Sequence, residues 1–359
     1  MKSSIRPVFP YLVTVLILSG LASGRPLSGG TGVLSWAVTI AESFAGWHLM
    51  VLCLIVMTVL GCLLLWNKSG GWPWLLPPLA LSLYSLISIL GPAQNGVTAP
   101  DIATRAMPDQ IRILHANLYL YNSSETMPWV LATLRHWNPD IIILHELDVP
   151  HHAVLGSQLS DYSYQRINTT HPYFGSGIYS RVPLHNVKEI STRIETLVSF
   201  ELELHQSHGA YRHCKSPSRM SVVTVHPVAP FNPRILEIHR RALRHLAESA
   251  NERDGILVTG DFNTVDWSAD MQHLQESTGL KKVFSASFKE KLFRGTYSAQ
   301  WPNLFRLPID GILVSNDLNV SGFKKIEIPG SDHLGLVVDV QWPSPENCDS
   351  LKNFQRSSP

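Results

Sequence analysis

ILVTGDFNT, residues 256–264, runs from an apolar stretch into Gly260 and then presents an acid and an amide two positions apart. A short apolar run bounded by turn residues predicts a buried strand. Asp261 and Asn263 at its carboxyl end then point to the same side. A carboxylate placed there can take a proton from water, while an amide donates to a phosphate oxygen. The structural alternative is an Asx turn that merely closes the strand.

Outward from this stretch the same arrangement recurs. PDIIILHELD (139–148) is an apolar strand ending at Glu146, an acid suited to a hard divalent ion. SVVTVHP (221–227) ends at His226, and in GSDHLGLVV (330–338) Asp332 and His333 precede a strand. Strand-like runs at 111–116, 141–145, 177–180, 199–204, 221–225, 256–259, 311–314 and 334–340 alternate with helical stretches at 127–137, 233–251 and 268–278. That alternation predicts a layered α/β domain with more strands than one small sheet holds. Arg240, Arg241 and Arg244 read as a solvated helix face.

The first hundred residues differ in kind. Before Asp101 only Lys2, Arg6, Arg25, Glu42 and Lys68 are charged, so nearly all of the 29 basic and 28 acidic residues lie downstream. They balance there, without the basic surplus that holds a nucleic-acid backbone. The apolar runs 8–22, 47–66 and 72–90 each approach the roughly 20 residues that cross a bilayer. The expectation is an anchor of three transmembrane helices over residues 1–100, a catalytic domain over 108–342 and a polar tail over 343–359. A signal peptide is the alternative for the first run. The positive-inside rule then puts the catalytic domain on the extracytoplasmic side of a multi-pass cell membrane protein, with the lipid bilayer as a partner. In that compartment a Cys214–Cys348 disulfide is permitted. His205, His208, His213 and Cys214 in HQSHGAYRHC follow no zinc-ligand spacing and read as a polar hairpin insertion.

The segments ILHAN, ILHELD, SGIYSR, HPVAP, TGDFN, LPIDGILVS and GSDH follow one another between residues 111 and 342. Together they resemble the endonuclease/exonuclease/phosphatase superfamily, the deoxyribonuclease I-like enzymes. The resemblance implies a four-layer α/β sandwich of two packed mixed β-sheets flanked by helices. It implies magnesium, or manganese, held mainly by Glu146 with Asn117 and Asp332 in support. Asp261 would orient or deprotonate the attacking water. Asn263 and His226 would donate to phosphate oxygens, His226 also assisting the leaving group, and Asp310 would hold His333 in a productive tautomer facing the phosphate. A cation and fixed donors suit in-line displacement because charge builds on the oxygens around phosphorus.

Two positions depart from the family's pattern. Tyr119 stands where abasic-site endonucleases carry a second metal-site acid, which argues against that activity. Gly311 follows Asp310 where many members have a larger residue, and either opens space beside His333 or permits close packing. With the membrane runs, the similarity to bacterial phosphatases linked to teicoplanin resistance implies a lipid-linked phosphate or pyrophosphate substrate. A sphingomyelinase-like phospholipase, an extracytoplasmic endonuclease and a non-catalytic tethered domain are the alternatives.

Overall fold

The computed structural model describes residues 32–44, 47–67, 72–102, 110–203, 219–251 and 255–341. Helices α1 (Gly32–Ser43), α2 (Trp47–Asn67) and α3 (Leu76–Asn95) lead into strand β1 (Val97–Ala99). The chain continues through β2 (Gln110–Asn117), α4 (Met127–Trp137), β3 (Ile141–His145), α5 (Val149–Gln158), β4 (Tyr164–Asn168) and β5 (Ser176–Ser180). Strands β6 (His185–Ser191), β7 (Glu195–Glu203) and β8 (Arg219–Pro227) follow, then α6 (Pro233–Asn251), β9 (Ile256–Asp261), α7 (Ala269–Thr278), β10 (Lys281–Ser285) and α8 (Phe288–Leu292). The last strands are β11 (Asp310–Val314), β12 (Asn319–Glu327) and β13 (Leu334–Gln341).

They form two sheets, one ordered β1-β10-β11-β9-β8-β7-β6 and the other β12-β13-β2-β3-β5-β4. Both are mixed: β2 and β3 pair in parallel, as do β8 and β9, while β9 and β11 are antiparallel. Three cores separate four layers. Between the sheets Ile113, Ile143 and Ile178 meet Phe200, Val222 and Leu257. Their sequence neighbours face the other way, because side chains alternate along a strand. Leu114, Ile142 and Leu144 pack under α4 and α5, and Val223, Val225 and Val258 under α6 and α7. Strands covered on both faces read as unbroken apolar runs, which is why these were visible in the sequence. Each such leucine contributes enough that truncation to alanine costs about 2–5 kcal/mol.

The α/β sandwich is as expected. The membrane placement is not. Among the described residues no helix is long and apolar enough to cross a membrane, which corrects the expected multi-pass cell membrane protein with an extracytoplasmic domain. The run 8–22 lies outside the described residues. The later runs form α2, a 3-10 turn Trp72–Leu75 and α3, and these helices are tied to the sandwich. Pro77 and Pro78 open α3, and Ser82 and Ser85 are buried in it with hydroxyls turned back onto Pro78 O and Leu81 O. From α3 the chain passes directly into β1, which pairs with β10. Helix α1 docks on α6: Trp36 donates to Pro230 O at 2.9 Å, Trp267 donates to Glu42 O at 2.7 Å, and Arg240 reaches Ser35 Oγ at 3.2 Å. Arg240 also bonds Asp270 at 2.8 Å, so it is not the solvated residue expected, whereas Arg241 and Arg244 are exposed. The HQSHGAYRHC insertion, Cys214, Cys348 and the polar tail lie outside the described residues.

Candidate active site

Six strands end or begin at one edge of the sandwich and carry the eight expected residues there. Asn117 closes β2, Glu146 follows β3, His226 lies near the end of β8, Asp261 ends β9 and Asp310 opens β11. Asp332 and His333 immediately precede β13, which runs antiparallel to β2. Register does part of the placing, since Asp261 and Asp310 are direct partners across β9 and β11. Gly260 is required by the crossing beside it: a Cβ there would lie 2.0 Å from Val225 O.

Asp261 is the hub. Its Oδ2 accepts from Asn117 Nδ2 at 3.2 Å and lies 3.6 Å from His226 Nε2 and 3.7 Å from His333 Nε2. Asn117 Nδ2 also donates to Glu146 Oε1 at 3.0 Å, so one amide spans the two acids. Glu146 Oε2 accepts from Leu120 N at 2.7 Å. Asn263 donates its backbone N–H to Asp261 Oδ1 at 2.9 Å and one amide hydrogen to Pro227 O at 2.9 Å, leaving a second hydrogen for a ligand. The Asx turn and the site are therefore one structure.

His333 Nδ1 and Asp310 Oδ2 are 2.8 Å apart and both residues are buried. Burial alone pulls the His333 imidazole down, but the Asp310 and Asp261 carboxylates and the Asp310 hydrogen bond outweigh it and push it up to about 10. Burial works against ionised Asp310, yet His333 holds that carboxyl below its ordinary value. Asp261 is pushed up to about 7 by burial and then by the Asp310 charge, with His333 opposing. Burial lowers His226 to about 4 despite Glu146 nearby. Near neutral pH the site thus holds a charged His333, a neutral His226 and an acid able to give or take a proton.

Asp261, Asp310 and His333 lie within 4.8 Å of one another and could hold a metal ion. The Asp310–His333 hydrogen bond already uses a ring nitrogen and a carboxylate oxygen, however, and hard cations favour oxygen ligands. The oxygens of Glu146 and Asp332 suit such a cation better. Asp332 is half-buried, raised in pKa by burial, and its Oδ1 has no hydrogen-bond partner, His333 Nε2 lying 3.9 Å away. Asn117 is oriented with its NH2 toward the acids and its carbonyl accepting from Tyr119 N at 2.9 Å, so here it acts as a spacer.

Several residues escaped sequence reasoning. His226 stacks on His145 at 5.2 Å and 8°, and His145 links Thr224 Oγ1 at 2.8 Å to His115 at 3.2 Å, a buried chain joining the sheets beneath the site. Both histidines stand in segments already singled out, but alone each reads as a core residue. Ser331 donates to Asn117 O at 2.7 Å and accepts from His333 N at 3.0 Å, pinning one half of the site to the other. Lys282 settles the Gly311 question: a Cβ on Gly311 would meet Lys282 Cε at 3.1 Å and Nζ at 3.2 Å. The space is filled by a buried cation that also stands 3.6 Å from Asp266. No local signal in KKVFS announces this.

The profile of the Endonuclease/Exonuclease/phosphatase family matches residues 116–333, an interval that contains all eight site residues. Similar solved structures include an endonuclease/exonuclease/phosphatase from Beutenbergia cavernae, 17% identical over 65% of this chain and 72% of that one, TM-score 0.52. D. rerio TDP2 complexed with single strand DNA product is 16% identical over 65% of this chain and 99% of that one, TM-score 0.51. The human Nocturnin catalytic domain with bound sulfate anion is 19% identical over 66% and 96%, TM-score 0.50. No curated protein sequence matches the chain.

Proposed function

The chain belongs to the endonuclease/exonuclease/phosphatase family and is a phosphoester hydrolase, and from that premise we propose that it works with a divalent cation, magnesium or manganese, held by Glu146 and Asp332, with Asn117 spacing Glu146 from Asp261. When bound, the cation would polarise the phosphoryl oxygens and offset the charge that develops on them. The rest belongs to the protein. Asp261 orients water and takes its proton; His226, neutral near pH 7, and the free hydrogen of the Asn263 amide donate to nonbridging oxygens. His333, kept charged by Asp310, faces the phosphate as a donor and cation. The observation that carries this reading is the convergence of Asn117, His226 and His333 on Asp261 Oδ2 within 3.7 Å.

We take residues 108–342 as the catalytic unit. The preference for a lipid-linked phosphate or pyrophosphate rested on membrane spans that the described residues do not contain, and it loses that support. The similar TDP2 holds a single strand DNA product and the similar Nocturnin a sulfate anion; for this chain they support a phosphoryl group as what the site receives.

The test uses the full chain and bis(p-nitrophenyl) phosphate. Turnover is expected with magnesium or manganese and not with EDTA, and Asp261→Asn is expected to lower kcat about 10³-fold with circular dichroism unchanged. Absence of turnover with either metal, or an active Asp261→Asn, overturns the proposal.

A further inference from the structure

Three tyrosine rings stand in a row at the mouth of this site. Tyr119 and Tyr121 meet edge to face at 5.6 Å and 67°, and Tyr121 and Tyr173 at 6.4 Å and 71°. The Tyr121 and Tyr173 hydroxyls are hydrogen-bonded at 2.9 Å, yet Tyr121 is 68% and Tyr173 57% exposed. Both ends of the row adjoin the chemistry. Tyr119 lies two residues past Asn117 and is bonded to its side chain, while Tyr173 precedes Phe174, whose ring packs on His226 at 5.1 Å.

The loop beneath is locked. Tyr119 has φ 63°, Asn122 N closes a turn onto Tyr119 O at 2.8 Å, and Asn122 Nδ2 donates to Leu118 O at 3.1 Å and Pro329 O at 3.0 Å. Leu120 N, inside this turn, is the donor to Glu146. Exposed aromatic rings held rigid beside a polar site are unusual unless something covers them, and the aromatic ring at position 119 replaces the acid that abasic-site enzymes carry. The arrangement favours one kind of occupant. Rings fixed at about 70° to one another leave faces for a further flat ring, and fixed rings lose little entropy when one stacks. A flexible hydrocarbon chain gains nothing from such orientation.

We propose that Tyr119, Tyr121 and Tyr173 form a stacking subsite for a planar ring, a nucleobase or an aryl group, attached to the phosphoester that is cleaved. This rests on the phosphoesterase reading of the adjoining site and names the substrate's organic part. Base stacking on a protein aromatic is sequence-tolerant and worth about a tenfold affinity change or more for each base.

The experiment measures binding of phosphomonoesters to the magnesium-supplied full chain by calorimetry. Thymidine 5′-phosphate is expected to bind about tenfold more tightly than methyl phosphate, with the gap erased in a Tyr121→Leu/Tyr173→Leu double variant and kept in Tyr121→Phe/Tyr173→Phe. Benzyl phosphate matching thymidine 5′-phosphate would identify any aryl ring as sufficient; benzyl phosphate matching methyl phosphate would identify the base. Equal affinities in the parent chain, no measurable binding, or an octyl phosphate that binds as tightly and loses as much in the leucine variant would each overturn the subsite. Binding needs no turnover. An enzyme dead with every metal but showing the tyrosine-dependent gap would sink the hydrolase reading alone.

Discussion

The two halves of the active site differ in how deeply they are buried and how closely acid and imidazole pair. In one half, Asp310 and His333 are buried and bonded to each other, and their charges are matched. In the other, Glu146 and Asp332 are only partly buried, and their nearest imidazole nitrogens stand 3.9 Å away. The first half is assembled by folding alone, because a buried acid and imidazole satisfy one another. The second places carboxylate oxygens within reach of solvent, which fits a hard cation arriving from water. Asn117 and Ser331 are the hinges between them.

The largest effect should separate the halves cleanly. Asp310→Asn is expected to lower kcat about 10³-fold, within the range for lost proton handling, without moving the magnesium concentration that half-saturates activity. Glu146→Gln should raise that concentration at least about tenfold. If Asp310→Asn moves the metal dependence as much as Glu146→Gln does, the halves are not distinct.

A smaller effect concerns the hub between them. Asp261 must be ionised to act as a base, and its carboxyl is held up to about 7. Activity should therefore climb with pH through about 7, falling about tenfold for each unit below it. A kcat/KM that is flat from about pH 5.5 to 8.5 would show that Asp261 is not the group whose proton matters. Smallest is Ser331→Ala, which removes the hydroxyl that bonds Asn117 O and His333 N. We expect a loss of about 1–2 kcal/mol in urea unfolding and only a modest fall in kcat; an unchanged midpoint would mean that Ser331 does not join the halves.

The same distinction in depth of burial explains what the sequence disclosed. All eight expected strands are present among the described residues; most are apolar runs between two covered faces, while SFELEL alternates apolar residues with glutamates. Two of the strands that went unread are polar for a reason. In β4 and β6, YQRIN and HNVKEIS, most residues are exposed or only partly buried at sheet edges, so neither periodicity nor apolarity marks them. Strand β10 begins with two lysines, and Lys282 is buried only because Gly311 on β11 makes room and Asp266 supplies a charge. Such a placement depends on three separated segments and has no local trace. Residues Asp261, Asn263, Asp310 and His333 were legible because each sits where a recognisable strand stops or starts. His115 and His145 were printed in the same segments but carry meaning only once the two sheets meet. The membrane spans were read from apolarity alone, without the contacts that tie α1 to α6 and α3 to the sheet.

One of those ties has a colloidal consequence. Strand β1 is only three residues long, yet it covers the outer edge of β10 in register from Val97↔Val283 to Ala99↔Ser285, with Ala99 O accepting from Ala286 N and the following Pro100 O from Phe323 N. Unpaired strand edges template association with other chains. A chain beginning after residue 100 would keep every catalytic residue while baring that edge, so the N-terminal segment guards the sheet against pairing with other chains.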